Sequence, residues 1–269
     1  MARCRGLLVS LLVAVALGSA PLAAKPGDFI VVARHPHDPR AFTQGLLMAD
    51  GVLYESTGRY RQSSLRRVDV ASGEVLARRK LPPELFGEGL ALMGERLIQL
   101  TWREEQALVS RRDDLARLET IPYAGGSWGL ASHGDQLVFS DGSATLRFLD
   151  PETFTPLRNL TVTDGGRPVE RLNELEVIDG MIWANILGSD RIALIDPADG
   201  AVRRWLDLRT LRGSGYAWRR ARDLNGIAFD PASGHVYVTG KFWPVLYELR
   251  VRDVPEAREG RAGAPGRAP

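Results

Sequence analysis

Cysteine is nearly missing from this 269-residue chain, with Cys4 the only one. That excludes a disulfide framework, and beyond residue 4 it leaves no thiol nucleophile and no cysteine-held metal. Histidine is scarce: His35, His37, His133 and His235 show no metal-ligand spacing, so neither metal nor cofactor is expected. Lysine is scarcer still, three among 35 basic residues, the other 32 being arginine. No P-loop occurs, which removes that nucleotide-binding class. The 35 basic and 33 acidic residues nearly cancel. No basic stripe interleaved with aromatics marks a nucleic-acid binder. The apolar run at 7–17 holds eleven residues, short of the roughly 20 that a membrane-spanning helix needs.

That run does have a reading. Arg3 and Arg5 precede it and small residues follow it up to Ala24. This is the pattern of a secretory signal peptide over 1–24. Residues 254–269, rich in Pro, Gly, Ala and Arg, read as a disordered tail. Residues 25–253 between them fit one domain. The mature protein is expected in the periplasm or secreted, free of the membrane and monomeric.

Within that domain a short phrase recurs five times. The copies are Gln44-Gly45-Leu46, Glu88-Gly89-Leu90, Trp128-Gly129-Leu130, Asn173-Glu174-Leu175 and Asn225-Gly226-Ile227, at intervals of 44, 40, 45 and 52 residues. Short apolar strands and turns such as Asp50-Gly51 and Asp179-Gly180 follow the copies. A strand-built unit of about 40–50 residues is the mark of a β-propeller with one blade per unit. The prediction is therefore an all-β, five-bladed propeller. Its fifth unit supplies three obvious strands, and the segment 29–32 is expected to complete that blade and close the ring.

The residue before each glycine then occupies an equivalent place near the central channel. Gln44, Glu88, Trp128, Asn173 and Asn225 form a ring at one mouth, a mixed polar and aromatic set that is hard to explain as core. Glu88, between Gly87 and Gly89, is read as a carboxylate open to the channel, the plainer alternative being a solvated turn. Beside aromatic surface such a group has a raised pKa and can move protons. Fourteen residues after four ring positions come Gly58, Trp102, Gly142 and Leu187, which puts Trp102 in a second layer. Trp102 and Trp128 either wall a pocket or pack between blades, as Trp183 and Trp205 are expected to do. Lys241 lies in a Gly-aromatic turn where a surface role is the alternative. The insert 211–222 lengthens the last interval and is read as rim or lid.

Taken together, nine phrases in order resemble one family, the plant-type and bacterial glutaminyl-peptide cyclotransferases. They are Ala41-Phe42-Thr43-Gln44-Gly45-Leu46, Tyr54-Glu55-Ser56-Thr57-Gly58, Phe86-Gly87-Glu88-Gly89, Leu100-Thr101-Trp102, Trp128-Gly129-Leu130, Ser140-Asp141-Gly142-Ser143, Asn173-Glu174-Leu175-Glu176, Leu224-Asn225-Gly226-Ile227-Ala228 and Thr239-Gly240-Lys241-Phe242-Trp243-Pro244. The resemblance spans about 40 to 251. It implies a five-bladed propeller that turns the N-terminal glutamine of peptides into pyroglutamate and releases ammonia without zinc. Its implied catalytic residues are Glu88, Lys241 and Asn173. Gln44, Trp102, Trp128, Leu187 and Asn225 are the expected substrate-binding set. One departure stands out. The family's Ala-Asn-x-Trp phrase is here Ala184-Asn185-Ile186-Leu187, which replaces one aromatic wall. That departure favours the alternative of a non-catalytic propeller binding peptide ends or a small ligand. A propeller lactonase or lyase would bring metal ligands that the sequence does not display.

Overall fold

The computed structural model describes residues 28–252 throughout, with 22–23, 254–255 and 257 besides. The leader read at 1–24 and the tail read at 254–269 otherwise lie outside the described residues. Five four-stranded antiparallel units follow one another around a centre. The first runs Thr43–Ala49, Val52–Thr57, Ser64–Val68 and Val75–Lys80 from inside outward. Blades two, three and four start from the inner strands Gly87–Met93, Gly129–His133 and Leu172–Ile178. The fifth runs Leu224–Asp230, His235–Gly240 and Val245–Val251, and its outermost strand is Phe29–Pro36. That strand lies antiparallel to Val245–Val251, with Phe29 opposite Val251 and Pro36 opposite Val245. The sequence reading stopped it four residues early, at 32. Leu22–Ala23 adds two parallel pairs to the edge of blade four, and Val254 and Ala257 pack against the seam between blades four and five.

The inner strands of each blade are buried on both faces and read as apolar runs, whereas outer strands such as Phe29–Pro36 and Val75–Lys80 alternate half-buried and exposed residues. Leu46 points toward blade five and packs with Ala228, Tyr237 and Leu246. Its neighbour Leu47 points the other way, to Leu90 and Leu97 of blade two. The same division gives a seam of Ile98, Leu100, Leu130 and Phe139 between blades two and three. Phe148, Leu175 and Ala184 join blades three and four. Trp183, Leu194, Ile227 and Val238 join blades four and five. Five apolar seams, rather than one central core, hold the domain together.

At the centre the inner strands touch backbone to backbone. A Cβ on Gly89 would lie 2.5 Å from the amide nitrogen of Leu130, and one on Gly45 would lie 2.6 Å from that of Leu90. Glycine is therefore required there by the approach of the neighbouring blade. Blade four breaks the rule with Glu174, and its side chain shows why. One carboxyl oxygen accepts from Leu46 N at 3.2 Å and the other from Ile227 N at 2.9 Å. A buried carboxyl thus ties blade four to blades one and five, and it is 1% exposed. Burial pushes its pKa well above the usual carboxylate range, the charge of Glu176 adds to the push, and the two N–H donors oppose it.

Removing this side chain strands two buried N–H groups. Glu174→Ala is expected to cost about 2–6 kcal/mol, since each unpaired buried donor costs about 1–3 kcal/mol. Glu174→Gln, which keeps one acceptor oxygen, should cost less. Urea unfolding of both variants, followed by tryptophan fluorescence, checks the order.

Candidate active site

A bulge opens four of the five inner strands. The strand register shifts between Thr43 and Gly45, Gly87 and Leu90, Leu172 and Leu175, and Leu224 and Ile227. Each shift falls at the x-Gly position, where an extra residue re-aims its side chain. Gln44, Glu88 and Asn173 are thereby turned into one cavity of about 240 Å³, together with Phe42, Phe86, Trp102, Trp128, Leu187 and Lys241. Seven of the eight residues expected from sequence line it. Asn225 does not. It is fully buried behind the wall, where Nδ2 donates to Thr43 O at 2.9 Å and to Gln44 Oε1 at 3.4 Å. Its part is to hold Gln44.

Phe42 and Phe86 were missed, although a signal existed. Each stands two residues before a ring position, immediately ahead of the inner strand that carries it. The second layer also has a simple logic. A Cβ on Gly58 would meet Phe86, and one on Gly142 would meet the ring of Trp128, so those glycines leave room for aromatic rings from neighbouring positions. Phe42, Phe86 and Trp102 form a chain of tilted and edge-on rings with centroids 6.0 and 5.5 Å apart. Trp183 and Trp205 pack in the seams of blade four instead.

Glu88 is not the open carboxylate that its flanking glycines suggested. It is 3% exposed, because those glycines draw the next blade close instead of opening the turn. Its carbonyl oxygen accepts from Ser56 Oγ at 2.5 Å, which fixes the main chain. The Gln44 amide donates to its carboxyl, and Asn225 holds the other end of that amide. Oε2 of Glu88 has no partner among the described residues. Burial raises the Glu88 pKa well above the usual carboxylate range, while the charge of Lys241 and the Gln44 hydrogen bond oppose the rise. Lys241, 5% exposed, has its Nζ 5.0 Å from the centre of the Phe42 ring. Burial lowers its pKa, with the charges of Glu88 and Asp223 acting the other way. An acid with one unpartnered oxygen and a desolvated amine in an aromatic pocket are equipped to shuttle protons and to stabilise developing negative charge.

The turn that carries Lys241 is anchored on several sides. Lys241 N donates to Asp223 O, Arg222 N donates to Lys241 O, and Phe242 N donates to Ala41 O. The insert 211–222 supplies part of this support, with Trp218 packed edge-on against Trp243 at 5.1 Å. On the far side His37 donates from Nδ1 to Trp243 O at 2.7 Å and from Nε2 to Glu55 at 3.1 Å. Thr43 Oγ1 and Arg66 also donate to Glu55. Burial alone would lower the His37 pKa, but Glu55, the Trp243 carbonyl and Asp38 lift it above 6.5. Glu55 is driven up by burial and brought below 4.5 by His37, Arg66 and Thr43.

Ser127 sits in Gly125-Gly126-Ser127-Trp128-Gly129, a match to the G-x-S-x-G pattern of serine hydrolases. It is fully buried, and its Oγ is engaged with Tyr123 Oη at 2.7 Å and Thr101 O at 2.9 Å. The strand–turn–helix that such a nucleophile needs is absent here, where the segment leads into a strand. Among the described residues no three His, Cys, Asp or Glu side chains converge as a metal site would require.

Comparison with known proteins adds three findings. Residues 7–251 match the sequence model of the family described as glutamine cyclotransferase. A glutaminyl-peptide cyclotransferase of Arabidopsis thaliana is 42% identical over 238 residues, covering 87% of this chain and 74% of that one. The crystal structure of the glutaminyl cyclase of Myxococcus xanthus superposes with a TM-score of 0.76 at 38% identity, covering 84% of this chain and 97% of the other.

The His37 network makes a prediction with a sign. A raised histidine pKa contributes stability that is complete below 6.5 and lost as pH rises through the folded value. A lowered Glu55 pKa contributes above 4.5 and is lost as pH falls through its folded value. His37→Ala should therefore cost about 3 kcal/mol between these limits, with the gap to wild type narrowing in alkaline solution. Thermal melts of both proteins from acid to alkaline pH measure it.

Proposed function

The chain belongs to the glutamine cyclotransferase family, and from that membership and its cavity we infer that it converts the N-terminal glutamine of peptides to pyroglutamate with release of ammonia. The observation that carries the mechanism is the buried Glu88 carboxyl with one unpartnered oxygen, set among aromatic rings beside Lys241. The substrate's α-amine, with a reference pKa of about 7.7–8.0, attacks in its neutral form. A bond forms from this nitrogen to the side-chain carboxamide carbon, and an electron pair moves onto the carboxamide oxygen. Collapse of that intermediate breaks the bond to the amide nitrogen, which leaves as ammonia. One proton passes from the attacking to the departing nitrogen, and none is consumed.

In this reading Glu88 is the relay for that proton. Its raised pKa suits both halves of the task, because an acid–base group works best near the operating pH. Lys241 and Asn173 stabilise the oxyanion, and Gln44 orients the substrate amide. Phe42, Phe86, Trp102 and Trp128 exclude water, so that the tethered amine outcompetes hydrolysis of the same carboxamide. Holding the side chain folded back on the amine removes much of the entropic barrier to ring closure. Leu187 leaves an apolar wall without a stacking surface, which alters the grip on substrate more than the chemistry. The same proposal takes the protein to work as a monomer without a metal, in the periplasm or outside the cell after loss of its leader.

Purified protein given a glutamine-initiated dipeptide should release ammonia, with or without EDTA. Glu88→Gln should lower kcat by about 10²- to 10⁴-fold, the range of general acid–base catalysis, while peptide binding survives. A fully active variant would remove Glu88 from the relay. Leu187→Trp should change KM and leave kcat within about tenfold. Steady-state kinetics on the two variants separates grip from chemistry.

A further inference from the structure

Three arginines crown the aromatic rings that form and back the cavity wall. The Arg103 guanidinium lies 4.0 Å from the centre of the Trp102 ring. Those of Arg59 and Arg220 lie 5.8 and 5.5 Å from the centre of Phe242. Phe242 packs in turn on Phe42, with ring centroids 5.2 Å apart. Arg59 follows Gly58, which abuts Phe86 and Gln44. The three come from blade one, blade two and the insert before blade five, and all are exposed.

Among the described residues none of these guanidiniums has a hydrogen bond or an ion pair. Arg66, Arg112, Arg203 and Arg212 are instead held by carboxylates. The nearby carboxylates are spoken for. Glu104 accepts from Tyr60 Oη and Phe86 N, Glu105 from Gly125 N, and Asp141 pairs with Arg147. Asp223 lies toward Lys241 and Arg212. The rings hold the guanidiniums by cation–π attraction, and their N–H donors are left for something outside the chain.

We propose that Arg59, Arg103 and Arg220 select substrates with aspartate or glutamate immediately after the N-terminal glutamine. This rests on the cyclotransferase reading above and deepens it. With the glutamine side chain in a cavity of about 240 Å³, the peptide must leave past these rings. Each extended residue advances about 3.3–3.6 Å, so the second and third side chains meet the guanidiniums. Arginine binds carboxylate in paired hydrogen bonds, and a positive rim raises the encounter rate of acidic peptides in a salt-dependent way. A lysine in the second position meets repulsion instead.

The test uses C-terminally amidated tripeptides Gln-Glu-Ala, Gln-Ala-Ala and Gln-Lys-Ala, so that the second residue alone differs in charge. At low salt kcat/KM should be about tenfold higher for the glutamate peptide than for the alanine peptide, and lowest for the lysine peptide. The ratio should collapse toward one in about 0.5 M sodium chloride. In Arg59→Gln/Arg220→Gln, where Arg103 alone remains, it should fall severalfold at low salt as well, whereas Arg59→Lys/Arg220→Lys, which keeps the charge, should preserve much of it. Equal kcat/KM for the glutamate and alanine peptides at low salt would overturn the proposal, and so would an undiminished ratio in the glutamine double variant. Failure to turn over any of the three peptides would strike the cyclotransferase reading itself.

Discussion

Everything at this site depends on how closely five inner strands approach one another. Blade seams supply the burial, but the centre is held by a closed circle of hydrogen bonds. Ser56 Oγ of blade one donates to Glu88 O of blade two, and Gly89 N donates to Trp128 O of blade three. Ser140 Oγ donates to Asn173 O of blade four, Gly226 N of blade five donates to Asn185 Oδ1, and Asn225 Nδ2 returns to Thr43 O. Each link falls at or beside a ring residue. Closing the propeller and aiming the site are consequently one act. The backbone atoms that join neighbouring blades also fix the stems of Gln44, Glu88 and Asn173.

That economy sets the electrostatics. Glu88 is buried in its aromatic cavity, and burial is the main reason its pKa rises. Lys241 arrives from a turn outside the inner strands, and its own burial lowers its pKa. Each group makes the other's charged form easier to bear, while desolvation works against both. The result is a pair that can give and take protons with small changes in surroundings. The Phe42, Phe86 and Trp102 rings keep it dry, and the buried His37–Glu55–Arg66 network beneath keeps the lysine turn in place.

Much of this was legible in the sequence because the repeat is a register. Five phrases at 40- to 52-residue intervals gave the blade count, and the residue before each glycine pointed at the mouth. The fourteen-residue offset found Trp102, and the family resemblance singled out Leu187. What stayed hidden was hidden for physical reasons. Asn225 shares the register of Glu88 yet turns inward to hold Gln44, a choice set by its neighbours in blade one. Glu88 read as exposed because flanking glycines look like an open turn, whereas here they admit another backbone. Glu174 stands where the other copies have glycine, and the sequence carries no sign that its side chain ties blade four to blades one and five. The cluster of His37, Glu55 and Arg66 joins strands from the first and last blades, and no local spacing announces it.

The most direct test is a titration of the Glu88 carboxyl itself, by carbon NMR of protein labelled at glutamate side chains and assigned against Glu88→Gln. The account predicts a midpoint well above 4.5. It also predicts a further rise in Lys241→Met, because the lysine charge opposes the shift. A midpoint at the ordinary carboxylate value, indifferent to Lys241, would contradict the coupled pair on which the chemistry rests.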